Sequence, residues 1–331
     1  MASDAPLRFG ILGAARIAPK ALIGPARQVP GVVVAAIAAR NPDRARRFAA
    51  RHGIPRVHES YADLVADPDI DALYIPLPNS LHHPWTLRGL EADKHVLCEK
   101  PLAANATEAA AMVQKAHQSG QLLMEAFHYR YHPLAARMKA IVDSGELGAI
   151  RHVEAHFCIP TWRPWDIRYR YDLAGGALMD TGCYCVHLVR FLAGAEPEVI
   201  QARAWLRSPQ VDRRMEADLG FADGRTARIV CSLWSATLLR VLVRVEGEAG
   251  ELTVLNPILP HLWHRLQVRT ATGVRREQVP GDSTYVHQLR AFVQAVQNGI
   301  PIPTNGADGL ANMRVLDAIY RAAGLAPRST K

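Results

Sequence analysis

Short apolar runs, most of them closed by a glycine, a proline or a charge and each followed by a helical stretch, constrain this chain most. The first run, Leu7 to Leu12, passes into Gly13-Ala14-Ala15-Arg16-Ile17-Ala18 and then a helical stretch to about Gln28. Val32 to Ala39, Ile70 to Pro76, Val96 to Cys98 and Leu122 to Ala126 repeat the pattern. Parallel strands cannot be joined by tight turns and need a crossover, usually a helix. The alternation therefore predicts an α/β fold with a doubly wound parallel sheet over residues 1–125.

The pattern changes after that. Phe127-His128-Tyr129-Arg130-Tyr131-His132-Pro133 is a dense aromatic and basic run leading into a helix, Leu134 to Ser144. Gly148 to Pro160 alternates as a strand, and Trp162 to Tyr171 reads as a loop. A helix opened by Gly175-Gly176 follows. Several strands of period two then run from Pro197 to about Arg269 with no helix between them, which predicts a largely antiparallel sheet. Two helices, Tyr285 to Asn298 and Gly306 to Ala323, close the chain. At 331 residues the chain exceeds one compact core, so two domains are expected, 1–125 and 126–331.

Composition excludes several classes. Hydrophobic residues make up 49% and charged residues 21%, an ordinary globular balance. The net charge of +8 is spread out, and Arg40, Arg44, Arg46, Arg47 and Arg51 have the spacing of a solvated helix face. No basic stripe interleaved with aromatics points to nucleic acid. Five cysteines without a CxxC pair speak against a disulfide framework or a zinc site. The N-terminus carries no signal region, and no apolar run is long enough for a bilayer. The expectation is a cytoplasmic protein without a metal.

The turn at Gly13 has the strand–glycine–helix context of a dinucleotide fingerprint, with Ala15 and Ala18 where the second and third glycines would stand. Gly13, Ala15, Arg16 and Ile17 are its candidate contacts. An NAD-specific unit carries an Asp or Glu near the end of the second strand to hold the ribose hydroxyls. Arg40 takes that place, and no acidic residue occurs between Gly13 and Asp43. A guanidinium suits a 2′-phosphate. NADP is therefore expected over NAD; the plain alternative is an arginine capping a strand end in solvent.

Two further stretches carry chemistry. The loop Leu77-Pro78-Asn79-Ser80-Leu81-His82-His83-Pro84 opens from the strand ending at Pro76, and its prolines exclude regular structure. His95-Val96-Leu97-Cys98-Glu99-Lys100-Pro101 brings a carboxylate, an ammonium and a proline to the C-terminal end of another strand, the rim where ligands of such sheets bind. In the second half, Asp180, Tyr184 and His187 share one face of the glycine-opened helix.

Taken in order, the Gly13 turn, Pro78-Asn79 with His82-His83, Glu99-Lys100-Pro101 and the Gly175-Gly176…Asp180…Tyr184 stretch resemble the glucose–fructose oxidoreductase/inositol dehydrogenase (Gfo/Idh/MocA) family. The chain is most similar to the branch holding dimeric dihydrodiol and D-xylose dehydrogenases. The resemblance implies an NADP-binding Rossmann domain and a C-terminal domain with an open-faced sheet. That second domain would bind substrate and form homodimers or homotetramers.

By the same resemblance Lys100 and Asp180 match catalytic positions, and Tyr184 falls where many members carry histidine. Asn79, with Pro78, His82 and Glu99, is expected beside the cofactor. A free phenol has a pKa of about 10, and a nearby ammonium favours its ionised form. Tyr184 is thus expected to move the substrate proton, Lys100 to assist it, and Asp180 to anchor substrate. Arg130, His132, Trp162, Arg168 and His187 are candidate neighbours of a carbohydrate or diol. Two other readings stand beside the dehydrogenase. One is a lyase or glycosidase that oxidises its substrate transiently and retains its cofactor; the other is a non-catalytic nucleotide sensor, which would have no need of a proton relay.

Overall fold

The computed structural model describes residues 5–163 and 165–329; the first four residues, read above for a signal region, lie outside the described set. The chain divides into two compact units. The first comprises Met1–Ala103, Thr107–His128 and Tyr285–Leu310; the second comprises Ala104–Ala106, Tyr129–Thr284 and Ala311–Lys331.

Six parallel strands build the first unit: β1 Leu7–Leu12, β2 Val32–Ala38, β3 Arg56–His58, β4 Ala72–Ile75, β5 His95–Cys98 and β6 Leu123–Glu125. Their order is β3-β2-β1-β4-β5-β6. The direction of winding reverses between β1 and β4, which opens a crevice at the C-terminal ends of those strands. Helices cover both faces, so the central strands are apolar throughout: Phe9, Ile11, Ile37, Leu73 and Leu97 are fully buried. The sequence reading contained no β3, because Arg-Val-His has neither apolar run nor alternation.

The helical stretch after Gly13 is a π turn, Pro19–Ile23, followed by one short α turn, Gly24–Ala26. The wide turn is closed by the Gly24 amide, which reaches Pro19 O five residues back. Pro25, directly after it, has no N–H to offer Ala21 O, so the regular ladder is not resumed there.

Residues from Tyr285 to Leu310 return to this unit, whereas the sequence reading placed them with the second domain. Phe292, in the helix Thr284–Asn298, packs its ring 5.3 Å from that of Phe9. Met124 and Asn305 form an antiparallel bridge beside β6. Thr304 O accepts from Glu125 N at 2.9 Å, and the Thr304 hydroxyl donates to Glu125 O at 2.8 Å. The outer edge of β6 is thereby covered, as exposed sheet edges generally must be.

The second unit is an eight-stranded sheet. Its strands are β7 Ile150–Cys158, β8 Glu198–Ser208, β9 Val211–Gly220, β10 Thr226–Ser232, β11 Arg240–Gly247, β12 Gly250–Leu255, β13 Arg265–Thr270 and β14 Gly273–Glu277. The order is β14-β13-β12-β11-β7-β10-β9-β8, and only the β7–β10 pair is parallel. Burial alternates along β9 and β12, as expected of strands with one packed face. The helix Cys183–Ala193 lies against β7 and β10.

All five cysteines are buried free thiols. Among the described residues no helix is long and apolar enough to cross a membrane.

Candidate active site

In the first unit the Gly13 turn is closed by backbone bonds, Gly13 N to Ala38 O at 2.7 Å and Ala15 N to Gly13 O at 2.9 Å. Gly13 has φ +104, and a Cβ there would lie 2.9 Å from Leu77 Cδ2. Only glycine meets both demands, and the bare backbone leaves the close approach that a diphosphate needs. Ala15 and Ile17 are half-buried beside this turn and Arg16 is exposed.

Arg40 is exposed just beyond β2. The next residue, Asn41, caps the helix Pro42–His52 by accepting from Arg44 N at 2.9 Å. The Arg44 guanidinium turns back to donate to Ala14 O at 2.8 Å, clasping the glycine turn. Tyr61 stands close by. Burial pushes its phenol up, while the Arg40 backbone and the charges of Arg40 and Arg44 pull it down. Its hydroxyl is 3.8 Å from where a Gly13 Cβ would sit. The sequence reading left Arg44 on a solvated face and did not single out Tyr61.

At the neighbouring rim Tyr74, fully buried in β4, donates its hydroxyl to Glu99 Oε1 at 2.7 Å. Half-buried Lys100 follows, joined to Pro101 by a cis peptide. Pro78 and Asn79 are half-buried at the start of a 3₁₀ turn, Asn79–Leu81.

His82 is different. It is fully buried, with Nδ1 2.8 Å from Pro101 O and Nε2 2.9 Å from Leu77 O. Burial, aided by the Lys100 charge, holds its pKa down to about 4 despite those carbonyls. A neutral ring donates to only one of them. The expectation that His82 touches the cofactor is therefore corrected: no edge of the ring is presented, and the side chain ties two rim loops together.

The second unit places its charges with side chains. Asp180 lies in a π turn, Leu178–Gly182, that runs directly into the helix Cys183–Ala193. Arg168 Nε donates to Asp180 Oδ2 at 2.7 Å, and Arg168 Nη1 lies 3.1 Å from Asp166 Oδ1. The Asp180 charge raises the Arg168 guanidinium further above its ordinary value. Gly175 is needed because a Cβ there would meet Arg168 O at 2.6 Å; at Gly182 it would meet Cys231 Sγ at 2.8 Å.

One helical turn on, Tyr184 is almost buried between Phe157 and Tyr129, with ring centroids at 5.5 and 6.1 Å. The Tyr129 hydroxyl and His187 Nδ1 share a short hydrogen bond, and the two rings meet edge-on. The structure thus groups Tyr184 and His187 around Tyr129. The sequence reading saw Tyr129 within the aromatic run but gave it no part in the site.

The guanidinium of Arg130 stacks 3.6 Å above the Phe191 ring. His132 is a second correction. It is buried at 1% exposure, caps the helix Pro133–Asp143 by accepting from Leu134 N at 3.1 Å, and fills the space that a Gly281 Cβ would need. Its place in a substrate pocket gives way to a packing role.

Trp162 is 68% exposed and meets Trp234 edge-on at 4.7 Å. With Thr161, Tyr169 and Arg207 they line a half-open cavity of about 240 Å³, which Asp180, Tyr184 and His187 do not line.

Residues 7–127 match the family model described as "Oxidoreductase family, NAD-binding Rossmann fold" (GFO/IDH/MocA), and residues 135–253 match the GFO/IDH/MocA C-terminal domain. The chain belongs to the GFO/IDH/MocA oxidoreductase family. It is 39% identical over 322 residues to D-xylose 1-dehydrogenase (NADP(+)) 2 of Haloferax volcanii, covering 96% of this chain and 97% of that one. Trans-1,2-dihydrobenzene-1,2-diol dehydrogenase of Xenopus tropicalis is 34% identical over 249 residues, 75% of this chain and 73% of its own. Among solved structures, a 3-ketoreductase from Actinomadura kijaniata in complex with NADP and TDP-benzene superposes with a TM-score of 0.89 at 32% identity. That match covers 96% of this chain and 98% of the reductase.

Proposed function

We propose that this oxidoreductase is an NADP-dependent dehydrogenase or reductase acting on a secondary hydroxyl or ketone of a sugar, sugar derivative or vicinal diol. The fold has a place for the cofactor: the Gly13 cradle suits its diphosphate, and exposed Arg40, with Arg44 and Tyr61 close by, suits a 2′-phosphate. Ala15, Arg16, Ile17, Pro78 and Asn79 complete its lining, with Glu99 and Lys100 at the nicotinamide end. When bound, that nicotinamide accepts or supplies the hydride.

The chain's own residues handle the proton and the orientation. Tyr184 Oη takes the hydroxyl proton in oxidation and returns it in reduction. Lys100 favours the phenolate and steadies charge developing on the substrate oxygen. Asp180, fixed by Arg168, accepts a hydrogen bond from a substrate hydroxyl. In this reading the first unit holds the nucleotide and the second holds substrate, with homo-oligomer formation through the second sheet.

The observation that carries this reading is the single rigid element bearing both Asp180 and Tyr184, its carboxylate pinned by an arginine. The lyase or glycosidase alternative has no observation of its own in its favour. The test is a screen of pyranoses, their keto derivatives and cyclic diols against NADP(H) and NAD(H), read at 340 nm. Net turnover with NADP(H) on a polyhydroxy substrate is expected. Substrate conversion without any change at 340 nm would replace the reading with the lyase or glycosidase.

A further inference from the structure

Beneath the turn that carries Asp180 lies a second ion pair, which the chemistry above leaves unused. Arg328, near the end of the chain, and Asp212, at the start of β9, are both fully buried, with Nη2 2.6 Å from Oδ1. Tyr320 donates its hydroxyl to the same oxygen at 3.0 Å, and Leu178 N donates to Oδ2 at 2.7 Å. Arg328 Nε donates to Gly175 O at 2.7 Å, and its guanidinium lies 4.1 Å from the Tyr320 ring centroid.

Between these two grips sits Gly176, at φ +139, where a Cβ would fall 2.2 Å from Asp212 Oδ1. Gly176 N donates to Arg168 O at 2.8 Å, and Gly176 O accepts from Asp180 N at 3.0 Å. The carboxylate and guanidinium thus hold the backbone on both sides of Gly176. That backbone in turn holds both Asp180 and the arginine that pins it. Buried pairs are weak stabilisers, since desolvation offsets most of their attraction. Their directed bonds are the more telling property here.

We infer that Asp212 and Arg328 are positioning residues for Asp180: by fixing Gly175 O and Leu178 N they set the direction from which that carboxylate meets substrate. The inference rests on the reading of Asp180 as the substrate anchor.

The test uses the full chain and the sugar or diol of highest turnover in the screen above. Arg328→Ala should raise KM for that substrate about tenfold or more. The Kd for NADP, read by protein fluorescence, should stay within about twofold. Arg328→Lys should not restore KM, because a single ammonium nitrogen lacks the planar fork that reaches Gly175 O and Asp212 Oδ1 from two nitrogens. Free guanidinium at non-denaturing concentration should lower the KM of Arg328→Ala.

A KM unchanged per folded molecule alongside a lowered Tm would overturn the inference, leaving only a fold-holding pair. Should Arg328→Ala not fold, Tyr320→Phe removes one donor to Asp212 and is expected to raise KM by about threefold; an unaltered KM overturns the inference. Asp180→Asn is run in parallel. If it leaves KM unaltered, the anchor reading fails and takes this inference with it. If it raises KM while the Arg328 and Tyr320 variants do not, this inference alone falls.

Discussion

The two units prepare for their ligands by different means. In the first, the turn at Gly13 is closed by backbone bonds, and single side chains, Arg44, Tyr74 and His82, tie the surrounding loops through hydrogen bonds rather than ion pairs. In the second, Asp180 and its surroundings are held by ion pairs, Arg168 with Asp180 and Arg328 with Asp212, and by interlocked aromatic rings. Backbone amides suit a phosphate shared by every dinucleotide. Carboxylates and guanidinium groups discriminate one arrangement of hydroxyls from another. Changes in the first unit should therefore alter cofactor choice and rim order, and changes in the second should alter turnover and substrate choice.

The sharpest way to break that division is Tyr184→Phe. It removes the proposed proton path while keeping the ring between Phe157 and Tyr129, so kcat should fall by about 10²–10⁴, with NADP affinity intact. Titrating NADP into the variant checks both halves of the statement; a loss of cofactor affinity would end the division. Next in size, Arg40→Asp should lower the NADP over NAD preference in kcat/KM by about 10- to 100-fold, leaving the substrate KM alone. Paired assays with both cofactors decide it, and an unchanged ratio removes the case for Arg40.

Smaller effects probe the scaffolds. His82→Ala should lower stability by about 1–3 kcal/mol, measured by urea unfolding at pH 7. The sign with pH follows from the neutral ring, whose pKa lies at about 4 in the folded chain, below the ordinary value near 6.5. Its contribution is complete above that ordinary value and is lost as pH falls towards 4, so the variant should show a flatter stability profile over that window.

Glu277 gives the smallest effect. Arg137 first, and Arg275 with it, hold its carboxyl down to about 2. Its contribution is present above the ordinary carboxylate range and disappears as pH falls towards 2. Glu277→Gln should cost on the order of 1 kcal/mol at pH 7 once solvent screening is allowed for, and only a small part of that at pH 2, where the folded carboxyl is half protonated. Unfolding curves at both pH values provide the check.

Strands buried on both faces announce themselves, which is why β1, β2, β4, β5 and β6 and the glycine turn were legible from residue order. β14 was not, since four of its five residues are exposed and the fifth half-buried, so no alternation marks it. The π turns were read as ordinary helix, because the apolar spacing in both is indifferent to one wide turn. His82 and His132 looked like ligands because a histidine in a polar loop reads the same whether its nitrogens face a cleft or a carbonyl. The Asp212–Arg328 pair spans 116 positions of chain, and nothing local to either residue announces the other. Tyr61, Arg44 and Tyr129 acquire their places only from strand order and packing.

The return of Tyr285–Leu310 to the first unit has a consequence for biosynthesis. On the ribosome, the Gly13 turn and its strands emerge first, and Phe292, Thr304 and Asn305 follow only after Tyr129–Thr284 of the second unit. Until then β6 is a bare edge, the kind of surface that chaperones shield. A polypeptide halted at residue 128 would carry every nucleotide contact proposed above and still lack the segment that covers β6. Completion of the first unit therefore waits for Leu310 to leave the exit tunnel.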